Sequence, residues 1–304
     1  MVSTWFASGM SDGSLKIVDE IDEIVLDKLA MDSMAYEHLQ LAFPASQFFT
    51  NLDDFIVCNV PGHFQQVEWE VIPKAHQLLH ELEQFELELA VTPYGNADSP
   101  VDSFFAKPLT VKKPLAWLLE KFRLKDDKQY YFQSQDNNLS SLNCSAPKSL
   151  PLHTNFLGPQ QAANLWIGTK GTTSRLHNDN YDNIYIQVSG SKRVYLLPPC
   201  SVRDVDEQML EPATYDEKMQ LVTDGGPRVL FPTYDPSTQQ PRQNLFVVDL
   251  HEGDILFLPA LWYHQVEIMT SGLNMSLNYW HTPFDEERRW SSWNMTRQLI
   301  QLMR

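Results

Sequence analysis

Two histidines and one aspartate are the residues of this sequence whose types and spacing could do chemistry. His177 and Asp179 lie two positions apart, and His264 follows much later in the chain. Two imidazoles and one carboxylate on one face of a metal are typical ligands of non-haem Fe(II), and they leave the opposite face open for a co-substrate and dioxygen. Because a His-x-Asp pair by itself is common, the interpretation depends on the segments around it.

The segment that follows this pair alternates between polar and apolar residues, as a β-strand does. Side chains two positions apart on a strand point the same way, so His177 and Asp179 can face one side. Further along, polar residues occupy the odd positions and apolar residues the even ones, namely Asn183, Tyr185 and Gln187 against Ile184, Ile186 and Val188. The pattern predicts a strand in a barrel wall, with a polar pocket on one side and a second layer on the other.

The same alternation continues through the later segments. A turn at 189–191 predicts a returning strand at 192–197, and further strands are predicted at 255–258, 262–266 and 273–280. His264 shares a face of its strand with Trp262 and Val266. In the last strand, Ser276, Asn278 and Trp280 fall on one side. Every segment that carries a candidate ligand is therefore predicted to be a strand.

Several motifs resemble the JmjC branch of the 2-oxoglutarate-dependent dioxygenases. They are Ser174-x-x-His177-x-Asp179, Asn183, Lys192, the run 253–264, and Asn278-x-Trp280, in family order. The segments 90–98, 131–135 and 212–215 are similar to the protein lysyl hydroxylases of this family in particular. The resemblance spans roughly residues 40 to 300, whereas the first 40 residues and the segment from about 216 to 245 depart from it.

The resemblance implies a fold and a set of site residues. The fold would be mainly β with flanking helices: a double-stranded β-helix (jelly-roll, cupin-like) barrel with N-terminal helical decoration and a C-terminal helix. His177, Asp179 and His264 would bind Fe(II). Lys192 would pair with the distal carboxylate of 2-oxoglutarate, because an ammonium offers a charge-assisted hydrogen bond to a buried anion. The rest of the co-substrate pocket would consist of Tyr131, Ser174, Asn183, Tyr185, Asn278 and Trp280.

The implied reaction is the hydroxylation of a side-chain carbon of a protein substrate, with lysine as the favoured target and 2-oxoglutarate and O2 as co-substrates. Histone lysine demethylation uses the same iron chemistry, but the sequence carries no recognisable chromatin-reader module. A non-catalytic binding or scaffold protein is a third hypothesis, disfavoured because no ligand position is missing. Peptidase activity is a fourth, for which the sequence offers no nucleophile. The substrate protein itself is not named by the sequence.

Composition agrees with a soluble globular enzyme. The chain has 304 residues, 43% of them hydrophobic, with no apolar stretch long enough to span a membrane and no signal-peptide pattern. Its three cysteines are widely scattered, which favours a reducing compartment, the cytoplasm, the nucleus or both. A net charge of −16 disfavours direct binding of nucleic acid and favours basic protein or peptide substrates. The plain alternative is that this acidity only aids solubility.

The chain is predicted to comprise three regions. Residues 1–128 would form a helical and strand region that packs on the barrel, with helices at 21–43, 75–87 and 111–122. Residues 129–284 would form the barrel, with a long insertion at about 201–244 over its mouth. Residues 285–304 would form a helix that carries large apolar residues, among them Trp290 and Trp293. That helix could pair two subunits of a homodimer or pack on its own barrel.

Overall fold

The computed structural model describes residues 72–124, 127–133, 135–150, 157–283 and 286–302. The helix predicted at 21–43 lies outside the described residues. In the described part, strands dominate. The helices are α1 (Ala75–Leu82), α2 (Leu115–Leu124), α3 (Asn138–Ser141) and α4 (Glu286–Leu302), with a 3-10 helix at Pro199–Arg203. None of the described helices is both long and apolar enough to cross a membrane.

The first strands precede the candidate ligands in the chain. They are β1 (Glu86–Thr92), β2 (Ser99–Val101), β3 (Phe104–Lys107), β4 (Leu109–Pro114), β5 (Gln129–Tyr131) and β6 (Gln160–Gly168). The next six are β7 (Thr173–His177), β8 (Asp182–Ser189), β9 (Lys192–Leu197), β10 (Glu207–Tyr215), β11 (Leu221–Thr223) and β12 (Val229–Pro232). The last are β13 (Phe246–Leu250), β14 (Ile255–Leu258), β15 (Tyr263–Ile268) and β16 (Asn274–His281).

Two four-stranded sheets contain the strands that follow the N-terminal region. Sheet I has the order β13-β9-β15-β7, and sheet II has the order β14-β8-β16-β6. All of their ladders are antiparallel. From β6 to β9, and again from β13 to β16, each strand lies in the sheet opposite to that of the strand before it. Strands distant in sequence therefore become neighbours in both sheets.

A layer of apolar side chains joins the two sheets. It contains Val194, Leu196, Val248 and Leu250 from sheet I together with Tyr185, Leu256 and Leu258 from sheet II. The other face of sheet II packs against the N-terminal region, in a cluster that contains Ile184, Ile186 and Val188 and also Leu78, Leu82 and Leu118. The alternation in β8 thus separates the two layers as predicted, with each parity buried on a different side.

The N-terminal region has different element boundaries from those predicted. The helix predicted at 75–87 ends at Leu82, and β1 already begins at Glu86. The helix predicted at 111–122 begins only at Leu115, because residues 111–114 complete β4 and pair with β1. Residues 86–87 belong to β1 and residues 111–114 to β4. Pairing between these two strands overrides the helical propensity of their leucines and glutamates.

The insertion predicted at 201–244 is not a bare loop. It contains β10, β11 and β12, and β10 pairs in parallel with β3 of the N-terminal region. This ladder makes a mixed sheet of order β11-β10-β3-β2, while β12 pairs with the first half of β10. The sequence did not reveal the pairing because β3 and β10 are about 100 residues apart, and only the folded chain brings them together. The division into three regions itself stays a prediction.

The C-terminal helix α4 contacts sheet I with part of its apolar surface. Trp293 and Ile300 are buried in a cluster with Leu197, Tyr234 and Tyr263. On the same helix Trp290, Met295 and Leu302 are 38%, 43% and 84% exposed. The helix therefore packs on its own chain and still presents apolar side chains to solvent.

Candidate functional site

The three candidate metal ligands meet at the ends of two paired strands. His177 closes β7, Asp179 follows it, and His264 on β15 lies directly opposite His177 in the ladder. One ligand atom from each residue lies within 4.8 Å of the others. The Asp179 Oδ2 atom is 3.9 Å from His177 Nε2 and 3.8 Å from His264 Nε2. The cluster therefore aims two imidazole nitrogens and a carboxylate at one point.

The backbone fixes which nitrogen each imidazole offers. His177 Nδ1 lies 2.6 Å from the carbonyl oxygen of Arg175, and His264 Nδ1 lies 3.0 Å from that of Trp262. Since a carbonyl can only accept, Nδ1 carries the proton in both rings and Nε2 keeps its lone pair. Burial, followed by the charge of His177, lowers the pKa of His264 to about 4, which favours the neutral, ligating imidazole. This donor set fits Fe(II).

The other predicted site residues, apart from Lys192, lie around the three candidate metal ligands. All of them except Lys192 line one pocket with the three ligands: Tyr131, Ser174, Asn183, Tyr185, Asn278 and Trp280. Asn183 Oδ1 and Trp280 Nε1 are buried without a hydrogen-bond partner in the described protein. Polar atoms buried in this way are costly unless a ligand or water satisfies them. Their placement is consistent with a ligand pocket, and their individual roles stay predictions.

Lys192 is completely buried and contacts two of the residues that line this pocket, Tyr131 and Tyr185. Its Nζ atom lies 2.5 Å from the Tyr185 hydroxyl, 2.9 Å from Ser276 Oγ and 3.2 Å from the Tyr131 hydroxyl. Among the residues that the structure describes, no carboxylate forms an ion pair with it. Burial lowers the pKa of Lys192 to about 7. A buried ammonium whose hydrogen bonds all go to neutral hydroxyls is costly in free energy, and an anion bound beside it would reduce this cost.

Comparison of the sequence with known proteins shows the family of this chain. The family described as cupin-like domain matches residues 54–287, most of the chain. The chain belongs to the cupin-like family. Its resemblance to JmjC proteins, predicted from the motifs, is confirmed.

Three relatives illustrate the range of this cupin-like family. The chain is 28% identical to the human bifunctional peptidase and (3S)-lysyl hydroxylase JMJD7, over 64% of this chain and 67% of the relative. It is 27% identical to the lysine-specific demethylase JMJ32 of Arabidopsis thaliana, over 64% and 66% of the two chains. It is 26% identical to the tRNA wybutosine-synthesizing protein 5 of Danio rerio, over 60% and 53%. The chain thus spans about two thirds or less of the length of these curated relatives.

Two residues that contact the predicted site residues, Ser276 and Trp166, were not themselves predicted to belong to the site. Ser276 donates to or accepts from the Tyr185 hydroxyl at 2.8 Å and also contacts Lys192. Its signal was present, since it shares strand parity with Asn278. The other is Trp166 on β6, whose Nε1–H donates to Asn278 Oδ1 at 3.0 Å. Nothing local marks Trp166, because its contact depends on the pairing of β6 with β16.

A polar groove adjoins the pocket. It has a volume of about 550 Å³ and shares Gln135 with the pocket. Three carboxylates line it, those of Glu88, Asp98 and Asp136. Its one lysine, Lys107, is paired with Asp224 at 2.7 Å. The groove beside the candidate metal site therefore carries an excess of negative charge.

Asp98 is a groove carboxylate whose pKa is influenced by the charge of the candidate metal ligand His177. Its side chain is exposed and its Oδ2 accepts a hydrogen bond from Gln133 Nε2 at 2.9 Å. Its backbone is in the left-handed region, with φ of 51°. Burial on its protein side raises the pKa of Asp98, while the hydrogen bond from Gln133 and the charge of His177 oppose the rise.

Proposed function

We propose that this protein is an Fe(II)- and 2-oxoglutarate-dependent dioxygenase that hydroxylates a side-chain carbon of a protein substrate, with lysine as the favoured target. The observation that carries the proposal is the combination of a two-histidine, one-carboxylate cluster with a buried lysine that contacts two residues of the same pocket and has no anionic partner among the residues that the structure describes. One half of this combination suits the metal, and the other suits a dicarboxylic co-substrate.

The fold proposed for it is the double-stranded β-helix. The strand orders of sheets I and II, with successive strands placed alternately in the two sheets, support this topology. In such a barrel the polar positions of facing strands converge on the interior near one end. The convergence of β7, β8, β15 and β16 on the pocket is what this architecture would produce.

In this proposal His177, Asp179 and His264 hold the metal through Nε2, a carboxylate oxygen and Nε2. The chemistry that bound Fe(II) supplies is the oxidative decarboxylation of 2-oxoglutarate by O2, which yields succinate and CO2 and transfers one oxygen atom into a substrate C–H bond. The Nδ1–H bonds to backbone carbonyls hold both imidazoles in the required tautomer and orientation.

Lys192 receives the distal carboxylate of 2-oxoglutarate in this proposal. Tyr131 and Tyr185 orient the ammonium through their hydroxyls, and Ser174, which lines the pocket, supplies a further hydroxyl. Asn278, held by Trp166, lines the remaining wall. The apolar surroundings exclude water, so the charge-assisted contact between the ammonium and the carboxylate is strong.

A basic substrate is supported by charge. The whole chain has a net charge of −16, and the groove beside the pocket carries Glu88, Asp98 and Asp136. An extended segment that bears a lysine would place its ammonium against these carboxylates while a side-chain carbon reaches the metal.

We also propose a homodimer through the exposed apolar residues of α4, and a location in the cytoplasm, the nucleus or both.

The experiment that tests this function is an anaerobic reconstitution with Fe(II) followed by 2-oxoglutarate, O2 and a library of lysine-containing peptides. Succinate should form, and mass spectrometry should show the gain of one oxygen atom on a peptide. The variants His177→Ala and Asp179→Ala should form no succinate. Full activity of Asp179→Ala would remove this residue from the ligand set and overturn the proposal.

Lysine demethylation is the second candidate function, and similarity to the plant lysine-specific demethylase supports it. The same assay separates the two, because demethylation removes a methyl group from a methyl-lysine peptide and releases formaldehyde. Similarity to a tRNA-modifying protein raises a nucleic-acid substrate as a further outcome. The net charge disfavours it. Succinate formation that depends on tRNA and not on peptide would establish it instead.

A further inference from the structure

Two predicted site residues, Ser174 and His177, line one pocket although three positions separate them. On a regular strand, residues three apart point to opposite faces. The ladder between β7 and β15 explains how both reach the pocket. His177 is opposite His264 and Ser174 is opposite Val266, so two residues of β7, Arg175 and Leu176, face the single residue Gln265. This is a β-bulge, and it resets the parity of β7 between the two pocket residues.

The bulged residues turn away from the pocket. Leu176 is buried in the cluster that contains Tyr263 and Trp293. Arg175 reaches Asp235, which belongs to the segment that follows β12. The bulge therefore places a metal ligand and a candidate co-substrate residue on the inner side of β7, and an arginine and a leucine on the outer side.

Asp235 holds this bulge from outside by contacts to both strands. One carboxylate oxygen pairs with Arg175 Nη1 on β7. The other accepts from Gln265 Nε2 on β15 at 2.9 Å. The same oxygen also accepts from the backbone N–H and the hydroxyl of Ser237, at 3.0 Å and 2.6 Å, so the carboxylate is fixed in its own segment. Asp235 thus bridges the two residues that oppose each other across the bulge.

This bridge is sheltered in a way that ordinary surface pairs are not. The side chains of Arg175 and Asp235 are 19% and 14% exposed, whereas those of Arg242 and Asp206 are 40% and 45% exposed. Gln265 has no solvent exposure at all. Sheltered, multiply bonded charges interact more strongly than exposed pairs, which contribute little.

We propose that Asp235 is a positioning residue that fastens the bulge of β7 and thereby keeps His177 and Ser174 on the same side of the strand. Through Arg175 it also holds the carbonyl group that accepts from His177 Nδ1. Its neighbour across the bulge, Gln265, directly follows the third ligand, His264. The segment 233–245, between β12 and β13, therefore sets the geometry of the metal site without contributing a metal ligand.

The test compares Asp235→Asn with the control Asp206→Asn, which breaks an exposed ion pair in the same part of the chain. In metal-free protein, hydrogen–deuterium exchange should increase for the peptides covering 173–177 and 263–267 in Asp235→Asn only. Loss of an outer partner of a ligating histidine lowers metal affinity about tenfold to a hundredfold. Asp235 acts one step further out, through the residue whose carbonyl is that partner, so Mn²⁺ should bind about tenfold more weakly to this variant by calorimetry, the lower end of that range. The control should match the wild type in both measurements.

Two outcomes would overturn this inference: unchanged exchange at the bulge in Asp235→Asn, or equal effects in Asp206→Asn. If the aspartate variant fails to fold, Arg175→Gln provides the same test. The double variant should lose no more Mn²⁺ affinity than either single variant. An additive loss would show that the two residues act separately. The inference rests on the proposed metal site, but failure of the wild type to bind Mn²⁺ would refute only that site, since the exchange measurement still tests the bulge.

Discussion

Replacing Lys192 by methionine should separate the two roles of a buried charge, because the same ammonium destabilises the free protein and binds the co-substrate. Methionine has a similar volume and fits among the rings of Tyr131, Trp166 and Tyr185, each within 6.0 Å of Nζ. A hydrogen bond to a charged group contributes about 1.5–3 kcal/mol. Because about 1.4 kcal/mol corresponds to a tenfold change in affinity, Lys192→Met should raise the KM for 2-oxoglutarate about tenfold to a hundredfold.

The stability of the ligand-free protein should change in the opposite direction. Burial lowers the pKa of Lys192 from 10.5 to about 7, so the folded state releases this proton at a lower pH than the unfolded state does. Between these two values the unfolded state binds more protons, and stability rises with pH. Below about pH 7 the burial penalty is fully present. Lys192→Met should therefore be at least as stable as the wild type at pH 6.5. The difference between their free energies of unfolding should become smaller as the pH rises towards 10.

The pH dependence of co-substrate binding has the reverse sign. A carboxylate binds the protonated lysine, so the KM of the wild type for 2-oxoglutarate should rise as pH increases above about 7. The KM of Lys192→Met should show no such rise. Succinate formation measured between pH 6 and 9, with thermal unfolding followed in the same buffers, gives both quantities. The exposed Lys170 provides a matched control, since Lys170→Met should change neither of them.

A KM for 2-oxoglutarate within about threefold of the wild type in Lys192→Met would contradict the assignment of this lysine to the co-substrate carboxylate. A marked loss of thermal stability at pH 6.5 would contradict the other half of the argument. It would show that the ammonium stabilises the pocket through the hydroxyls of Tyr131, Tyr185 and Ser276 more than its burial destabilises it.

Two further predictions concern the site, and a third concerns the helix α4. Asp98→Asn should raise the KM for a basic peptide about fivefold, as expected for loss of about 1 kcal/mol from an exposed ionic contact, while the KM for 2-oxoglutarate stays unchanged. An equal effect on both would place Asp98 in the co-substrate pocket. Trp166→Phe should raise the KM for 2-oxoglutarate about fivefold, because Asn278 Oδ1 loses its donor at a cost of about 1 kcal/mol. No change would show that Trp166 does not orient Asn278. Sedimentation equilibrium should give about twice the chain mass of 35.1 kDa, and Trp290→Glu should reduce it to the monomer. A monomeric wild type at micromolar concentration would exclude the dimer.

The sequence by itself determined the residue types at the site and the side of the strand on which most of them lie. The alternation from Asn183 to Val188 predicted both faces of β8, because period two is a local property of an extended chain. His177 and Asp179 were predicted to share one strand, but β7 ends at His177 and Asp179 lies beyond it, so strand parity does not account for the position of Asp179. Relationships within one strand need no knowledge of its partners, so they can be inferred from order alone.

The tertiary structure decided what depends on pairing between distant strands. The bulge that brings Ser174 and His177 to one side exists only because Arg175 and Leu176 oppose Gln265 of β15. The hydroxyls around Lys192 come from β5, β8 and β16, and no local pattern indicates that these strands meet. The helix boundaries near Leu82 and Leu115 likewise depend on the ladder between β1 and β4. Register and burial are set by long-range contacts, and these are formed by the folded chain as a whole.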